Sequence, residues 1–171
     1  YISKEVTPFS FGEYLRANEC APTNFSTKDM ARVNSLLEDY FINGGLPETV
    51  WFKNKREYIS NVYQKVLYND IIVHNQIRNE NGVKLMIKKI AESIKQDLSF
   101  TRIQNLITGI GYKISKDIII DYSGYCKDAF LFFTLENYYA SFLDRNSNSK
   151  YYFMDNGILH LFIDDKKSSL L

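Results

Sequence analysis

The residue types that most often carry chemistry are few and far apart in this sequence. His74 and His160 are distant along the chain, and neither has a cysteine or histidine partner at metal-ligand spacing. We therefore interpret both as surface or packed histidines. Cys20 and Cys126 are the two cysteines, which excludes a disulfide scaffold and an all-cysteine zinc site. Ser123 lies within a predicted helix rather than in a GxSxG turn, so the chain contains no self-contained catalytic site.

Nucleotide-binding loops are also missing from the sequence. None of the eight glycines is followed by lysine, so residues 1–171 contain no GxxxxGK[ST] phosphate loop. Gly109 and Gly111 form a pair that lacks the third glycine and the preceding strand of a dinucleotide loop, and a helix-ending turn explains them better. We expect this chain to bind no nucleotide and to hold no cofactor or metal of its own.

Composition and charge exclude further classes. An apolar fraction of 45% and a charged fraction of 24% are values of a globular protein, and a net charge of +1 gives no overall attraction for nucleic acid or an anionic membrane. No apolar run is long enough to span a bilayer, and no signal peptide is visible, so we expect a soluble cytoplasmic protein without a membrane partner. The chain begins at Tyr1 without methionine, and we interpret it as a fragment of a longer protein.

Helical periodicity dominates the first half of the chain. The apolar spacing predicts helices over 11–17, 27–42 and 55–72. Ser10 and Glu13 predict a capping box at the start of the first helix, and a glycine pair followed by proline predicts the end of the second. The polar run that closes at Gly82 is the best internal boundary.

The second half changes from helical to strand-like periodicity. Helices are predicted over 83–95, 99–108 and 115–128, followed by strands from Phe130 and from Lys150 on either side of a polar loop. Three helices followed by two strands are typical of a winged helix-turn-helix. The predicted fold class is therefore mainly α with a small β component.

Four sequence pieces, in this order, resemble one family. They are TPFSFGEYL at 7–15, FINGGLPETV at 41–50, VLYNDI at 66–71 and KYYFMDNGI at 150–158. Bacterial and archaeal AAA-like P-loop ATPases carry similar pieces just after their ATPase core, where a Gly-Arg pair commonly precedes the tyrosine that corresponds to Tyr1. The resemblance covers nearly all of residues 1–158.

The resemblance implies a domain order and a set of partners. Residues 1–80 would be a helical lid-like segment after a missing ATPase core, residues 81–158 a winged helix, and residues 159–171 the start of a truncated C-terminal region. In some members that C-terminal domain has nuclease-like features. The parent protein would use ATP and Mg, and its ATPase core and C-terminal domain would be the partners of this segment.

The glycine-rich turn of the second piece has two interpretations. Gly44 and Gly45 permit left-handed backbone and close approach, Pro47 fixes the direction of the next turn, and Glu48 suits its N-terminus. That account is purely structural. The alternative is that these four residues pack against the nucleotide domain and transmit its ATP state, which makes them the candidate inter-domain coupling residues.

Two aspartates in the other pieces have similar alternatives. Asp70 is either an exposed helix-end carboxylate or the partner of an arginine, such as Arg56 or one from another protein. Asp155, with Gly157, is typical of a strand end followed by a turn. The same aspartate could serve a nuclease-like centre located downstream, although one carboxylate does not make a metal site.

Positive charge is concentrated in the predicted winged helix, where residues 82–128 carry a net charge of +3. The candidate DNA-contacting residues are Lys88, Lys89, Lys113, Ser115 and Lys116. They would bind phosphates at the start of the recognition helix without reading sequence. Asp117 and Asp121 lie on the same helix and would repel DNA. Nonspecific DNA contact and protein packing both remain open.

The leading hypothesis is a non-catalytic coupling module of an AAA-like ATPase. The alternative is a winged-helix DNA-binding transcriptional regulator whose N-terminal helices dimerise. The first hypothesis predicts an exposed apolar surface where the missing core docked, near Phe9, Phe11 and the turn from Gly44 to Trp51. Tyr14, Leu46 and Trp51 are the side chains most expected to be exposed there.

Overall fold

The computed structural model describes residues 6–20, 26–94, 96–135 and 149–163. These ranges are mainly helical and contain a small antiparallel sheet, as predicted. The elements are α1 (Phe11–Ala17), α2 (Thr27–Asn43), α3 (Lys55–Lys65), α4 (Glu80–Glu92), α5 (Phe100–Gly109), α6 (Lys116–Asp128), β1 (Phe132–Leu135), β2 (Lys150–Phe153) and α7 (Asn156–Ile163). A 3₁₀ turn, Pro47–Val50, follows α2, and a π-helix, Val66–Val73, continues α3.

Helix starts are determined by local capping. Ser10 and Glu13 form the predicted capping box of α1, and the side chains of Ser99 and Ser115 accept first-turn N–H groups of α5 and α6. Helix α4 differs from the prediction, because it begins at Glu80 behind the cap of Asn79. Gly82 therefore lies inside the first turn of α4, rather than ending the polar run before it.

The sheet lies beside helices α6 and α7. Strands β1 and β2 pair with Phe132 opposite Phe153 and Leu135 opposite Lys150. An isolated bridge joins Leu98, which precedes α5, to Ser149, which precedes β2. Strand β2 thus pairs with β1 along its length, and the residue before β2 pairs with Leu98.

The apolar core is formed by the part of the chain after residue 58. Its members come from α3, the π-helix, α4, α5, α6, both strands and α7, from Ile59 to Ile158. The core contains residues from both sides of position 80. The domain boundary that the sequence predicts there stays a prediction. No residue of α1 or α2 belongs to this core cluster among the described residues.

The π-helix was not predicted, although the helical prediction through residue 72 is confirmed. The N–H of His74 bonds to the carbonyl oxygen of Asn69 at 3.1 Å, five residues back, instead of the four of an α-helix. Leu67, Ile71 and Ile72 of this segment are buried. The wider turn keeps these apolar side chains directed at the core.

Helix α7 was also not predicted, since the sequence of residues 150–158 predicts a strand that ends in a turn. The strand ends at Phe153, and the chain then enters α7, which packs against α2, α3 and α4. Helix α7 therefore connects the N-terminal helices to the core, and its start lies at the candidate site.

Candidate coupling site

The glycine turn after α2 forms one wall of the site. Gly44 has a φ of 73°, in the left-handed region that favours glycine, and its N–H bonds to the carbonyl oxygen of Tyr40 at 2.8 Å, which ends α2. Gly44 and Gly45 are both buried. Pro47 occupies the first position of the 3₁₀ turn, where its missing N–H costs no hydrogen bond.

A buried aspartate from the far end of the chain binds this turn. Asp155 is 4% exposed, and its carboxylate accepts the N–H of Gly45 at 2.7 Å. The same carboxylate accepts the N–H groups of Gly157 at 2.8 Å and Ile158 at 3.3 Å, so it also caps the start of α7. One side chain thereby joins residues 110 positions apart in the sequence.

The electrostatics of Asp155 follow from its burial and its donors. Burial raises the pKa of the Asp155 carboxyl, and the backbone N–H groups of Gly45, Ile158, Gly157 and Leu46 oppose that rise by stabilising the ionised form. The N–H groups of Gly45, Gly157 and Ile158 lie within hydrogen-bond distance of the carboxylate, and no cation is among these partners. It acts as an acceptor that holds backbone groups together.

Two glycines allow this close contact. A Cβ atom on Gly157 would lie 2.5 Å from the carbonyl oxygen of Asn43, a backbone atom that cannot move aside easily. A Cβ on Gly44 would collide with the Asp155 carboxylate. Glycine at both positions lets the end of α2 and the start of α7 approach to backbone contact.

The extended segment before α1 completes the site. The N–H of Phe9 bonds to the carbonyl oxygen of Gly45 at 2.7 Å, and the hydroxyl of Tyr40 donates to the carbonyl oxygen of Phe9 at 2.7 Å. A cleft of about 300 Å³ lies between this segment, the glycine turn and the end of β2. Three of the four sequence pieces used for the resemblance, at 7–15, 41–50 and 150–158, therefore meet at one place.

A polar cluster beside this site ties α1, α2 and α3 together. Tyr14 is fully buried, and its hydroxyl donates to the carboxylate of Asp39, which also forms an ion pair with Lys55. Burial would raise the pKa of Asp39, but hydrogen bonds from Lys55, Tyr14 and Asn43 outweigh it and hold that pKa below its usual range. The prediction that Tyr14 is exposed is wrong, because its hydroxyl has partners on two other helices.

The remaining coupling candidate, Glu48, is exposed on the 3₁₀ turn. Burial and a hydrogen bond with Glu48 raise the pKa of Tyr58 in α3. All four predicted coupling residues thus lie in or directly beside the site. Gly44, Gly45, Pro47 and Glu48 are recognisable from sequence as one group. The contacts of Asp155, Phe9 and Tyr40 with that group depend on the fold and were not predicted.

The predicted DNA-contacting residues lie on three different parts of the region formed by α4, α5 and α6. Lys88 and Lys89 are on α4, Lys113 is in the turn after α5, and Ser115 and Lys116 are at the start of α6. Lys89 forms an ion pair with Glu92 at 3.0 Å, and Ser115 is the N-cap of α6. Lys88, Lys113 and Lys116 are exposed.

The outward face of α6 is more acidic than basic. Its exposed charged residues are three aspartates and two lysines, Asp117, Asp121, Asp128, Lys116 and Lys127. Ile118 and Ile120 on the same helix are also partly exposed. A helix that docks in a DNA groove must neutralise phosphates, so this composition disfavours tight binding.

The predicted apolar surface is present but differs in its residues. Trp51 is 70% exposed, as predicted, whereas Leu46, Phe9 and Phe11 are half-buried. Phe52 follows Trp51 and is exposed too, and its ring stacks on Tyr58 with a centroid distance of 4.8 Å. Of the residues predicted to be exposed here, Trp51 is the one that is largely exposed.

Other chemical candidates remain isolated. Asp70 is exposed on the π-helix and borders a shallow cleft with His74 and Asp128, yet no three His, Cys, Asp or Glu residues of the described ranges are placed to hold a metal ion. Cys126 is fully buried in α6, as predicted, and burial raises the pKa of its thiol. No helix in the described part of the chain is long and apolar enough to cross a membrane.

A family model covers most of the chain, residues 34–169, and its description is "Domain of unknown function (DUF8612)". The chain belongs to the DUF8612 family. The matched range contains the glycine turn, the core and α7, so Gly45 and its acceptor Asp155 both lie inside the domain. Phe9 and α1 lie before it.

Two relatives of this DUF8612 chain are much longer proteins. The uncharacterized protein MJ1544 of Methanocaldococcus jannaschii is 28% identical over 141 residues, which is 80% of this chain and 32% of the relative. An uncharacterized protein of Haemophilus influenzae is 26% identical over 163 residues, 92% of this chain and 39% of the relative. The chain therefore spans about a third of the length of the curated relatives it matches. No solved structure matches it.

Proposed function

We propose that this DUF8612 chain is a non-catalytic coupling segment of an AAA-like ATPase, which joins a nucleotide domain to a winged helix. The observation that carries the proposal is the Asp155 carboxylate, which binds the glycine turn and the start of α7 at once. Movement of the turn would therefore be transmitted to α7 and to the core on which α7 packs. ATP and Mg would be cofactors of the parent protein, bound outside this chain.

The order of elements from α4 to β2 supports a winged helix in this part of the chain. Helix α4, the bridge residue Leu98, helices α5 and α6, and strands β1 and β2 follow one another in the order of that motif. Leu98 would then supply the short first strand beside β2. The acidic face of α6 favours protein packing over DNA contact as its role.

Hydrogen exchange on the full-length protein that contains this chain tests the coupling. We expect ATP with Mg to change exchange both in the glycine turn and in α7. In an Asp155→Ala variant the turn should still respond while α7 does not, because the carboxylate that links them is gone. Asp128→Ala, which removes an exposed aspartate of α6, is the matched control and should respond as the unmodified protein does.

Two results would contradict the proposal. One is a full-length protein that binds no ATP by calorimetry, and the other is an unchanged α7 response in Asp155→Ala. The 171-residue chain alone should bind no ATP, since it lacks a phosphate loop.

Fluorescence anisotropy with two unrelated duplexes tests the DNA-binding alternative. We expect weak, sequence-blind binding, with a dissociation constant of roughly 10⁻⁴ to 10⁻⁶ M or weaker at physiological salt. Any such binding should weaken equally for both duplexes in Lys113→Ala and Lys116→Ala, and it should strengthen in Asp117→Asn. A strong preference for one duplex would favour the transcriptional regulator instead.

A further inference from the structure

Strand β1 is an edge strand of the sheet. It pairs with β2 on one side, and in an antiparallel pair the backbone groups of successive residues point alternately toward the partner strand and away from it. The N–H of Met154 bonds to the carbonyl oxygen of Leu131 at 3.1 Å, which places the backbone groups of Phe133 toward β2. The N–H and carbonyl groups of Phe132 and Thr134 therefore point away from β2, and no hydrogen bond joins them to another described residue.

The side chains of β1 lack the features that usually protect such an edge. Natural edge strands commonly carry lysine, proline or an inward-pointing charge, which prevents pairing with another chain. The sequence of β1 is Phe-Phe-Thr-Leu and contains neither a charge nor a proline. An edge of this kind is a template for an added strand, because another backbone can satisfy its free N–H and carbonyl groups.

The outer face of the sheet is apolar next to this edge. Phe133 and Leu135 are 43% and 52% exposed, whereas Phe132 between them and Leu131 is buried. The Phe133 ring stacks on that of Tyr152, which lies directly opposite on β2, with a centroid distance of 5.5 Å. An added strand would cover these side chains with its own, since every second residue of that strand would lie on the same face.

The cleft beside the glycine turn gives this outer face an acidic end. Phe133 lines the cleft, so the outer face and the cleft are continuous. The charged residues among the described lining are Asp155 and Glu13, and none of that lining is basic. Burial and the charges of Asp155 and Glu13 raise the pKa of Tyr40, which also lines the cleft. The cleft is therefore suited to a positively charged side chain that approaches over Phe133, whose ring face also attracts cations.

Glu13 keeps one oxygen for such a side chain. Its Oε2 atom accepts the N–H of Ser10 at 2.8 Å and the hydroxyl of Ser10 at 2.7 Å, which completes the capping box. Its Oε1 atom accepts no hydrogen bond from a described residue. Asp155 is bound by backbone donors, so it contributes charge to the cleft while Glu13 contributes both charge and an acceptor.

We propose that the free edge of β1 binds an extended segment of a partner protein as an added strand, with an arginine or lysine of that segment in the acidic cleft. Backbone hydrogen bonds to Phe132 and Thr134 would supply affinity, and the basic side chain would supply specificity. Lys150 lies at the opposite end of the outer face, so the basic residue of the partner is favoured at the cleft end only. This surface does not require that the parent protein binds ATP.

Nuclear magnetic resonance of the isotopically labelled 171-residue chain with synthetic peptides tests the surface. The probes are acetyl-Arg-Thr-Val-Thr-Val-amide, which suits a parallel added strand, and acetyl-Val-Thr-Val-Thr-Arg-amide, which suits an antiparallel one. In both, arginine and the valines share one face of an extended strand. We expect saturable binding of one peptide that shifts the amide protons of Phe132 and Thr134 downfield, since both would gain a hydrogen bond.

Two control peptides separate the charge from the backbone pairing. The same peptide with glutamate in place of arginine should bind at least about tenfold more weakly, because like charges would meet in the cleft. The arginine peptide with N-methyl groups on every second residue, on the edge that faces β1, should not bind, because it keeps its side chains but loses the donors that an added strand needs.

Variants of the chain make the same separation. Thr134→Pro removes an outward N–H and leaves the bonds between β1 and β2 in place, so circular dichroism should show a folded chain that no longer binds the peptide. Glu13→Gln keeps a residue that completes a capping box and should weaken binding of the arginine peptide by roughly two- to fivefold. Glu57→Gln is the matched control, because Glu57 is an exposed glutamate at the same position of the first turn of α3, and it should bind as the unmodified chain does.

Three results would overturn the proposal. They are the absence of binding by both arginine peptides at millimolar concentration, binding that Thr134→Pro leaves unchanged, and equal binding of the arginine and glutamate peptides. A chain that is dimeric in analytical ultracentrifugation and monomeric as Thr134→Pro would show that a second copy occupies the edge, which would overturn the proposed partner.

Discussion

The N-terminal helices and the core are held together by different forces. From Ile59 onward the chain buries a continuous set of apolar side chains, whereas α1 and α2 contribute none to that set. Polar contacts that join the N-terminal helices to the rest of the chain include the hydrogen bond from Gly45 to Asp155 and the ion pair of Lys55 with Asp39. The hydrogen bonds of Tyr40 to Phe9 and of Tyr14 to Asp39 lie within the N-terminal part. Apolar burial is non-directional, but hydrogen bonds fix one geometry, so the polar contacts determine where the N-terminal part lies relative to the core.

The largest expected effect contrasts a core residue with a partly exposed residue of α2. Ile103→Ala removes a fully buried side chain of α5 and should lower the free energy of unfolding by about 2–5 kcal/mol. Leu37→Ala in the same 171-residue chain should cost less, about 1 kcal/mol, because nearly half of Leu37 is exposed. Urea unfolding followed by circular dichroism measures both. Equal losses would mean that α2 is part of the core after all.

A smaller effect is expected at the contact between the two regions. Gly157→Ala should cost roughly 1–3 kcal/mol, because its new methyl group meets the backbone oxygen of Asn43. Gly124→Ala is the matched control, since nothing lies within 4 Å of the added Cβ in α6, and it should stabilise by roughly 0.5–1 kcal/mol. Thermal unfolding compares the two. A neutral Gly157→Ala would show that the ends of α2 and α7 can separate freely.

The tyrosine of the polar cluster should have a more moderate effect. Tyr14→Phe keeps the buried ring but removes the hydroxyl that donates to Asp39, and it should cost about 1 kcal/mol. We expect faster hydrogen exchange in α1 and α2 with little change in α5. If exchange instead accelerates equally across the core, the cluster supports the whole fold rather than the N-terminal helices.

The smallest effect is a pH dependence that Asp39 produces. Its pKa is lowered on folding from an ordinary value of 3.8, so it contributes stability above that value and loses the contribution as the pH falls through the lowered pKa. The stability difference between the unmodified chain and Asp39→Asn should therefore shrink below about pH 4. Comparing the two proteins at each pH removes the opposite contribution of Asp155, whose pKa is raised. A difference that stays constant down to pH 2 would contradict this role of the ionised carboxylate.

The features that could be predicted from sequence are those with local causes. Ser10, Ser99 and Ser115 cap helices through N–H groups three residues away, and such caps are visible in a short window of sequence. The partner of Asp155 is 110 residues away, and nothing in either segment specifies the pairing. The burial of Tyr14 likewise depends on α2 and α3. Only the D-x-G pattern before an apolar run, which is typical of a capped helix, could have indicated α7.

The π-helix determines the angular relation between the two ends of the α3 segment. Ile59, Tyr63, Leu67 and Ile71 are all buried at intervals of four residues, but in a regular α-helix each such step turns about 40° past a full rotation. Three steps would rotate Ile71 about 120° away from the side on which Ile59 lies. The extra residue in the π turn takes up this excess. Deleting one residue from Val66–Val73 would restore a regular α-helix and rotate α3, which begins at Lys55, relative to the core. Lys55 would then move away from Asp39, and the ion pair would be lost although both of its residues are unchanged.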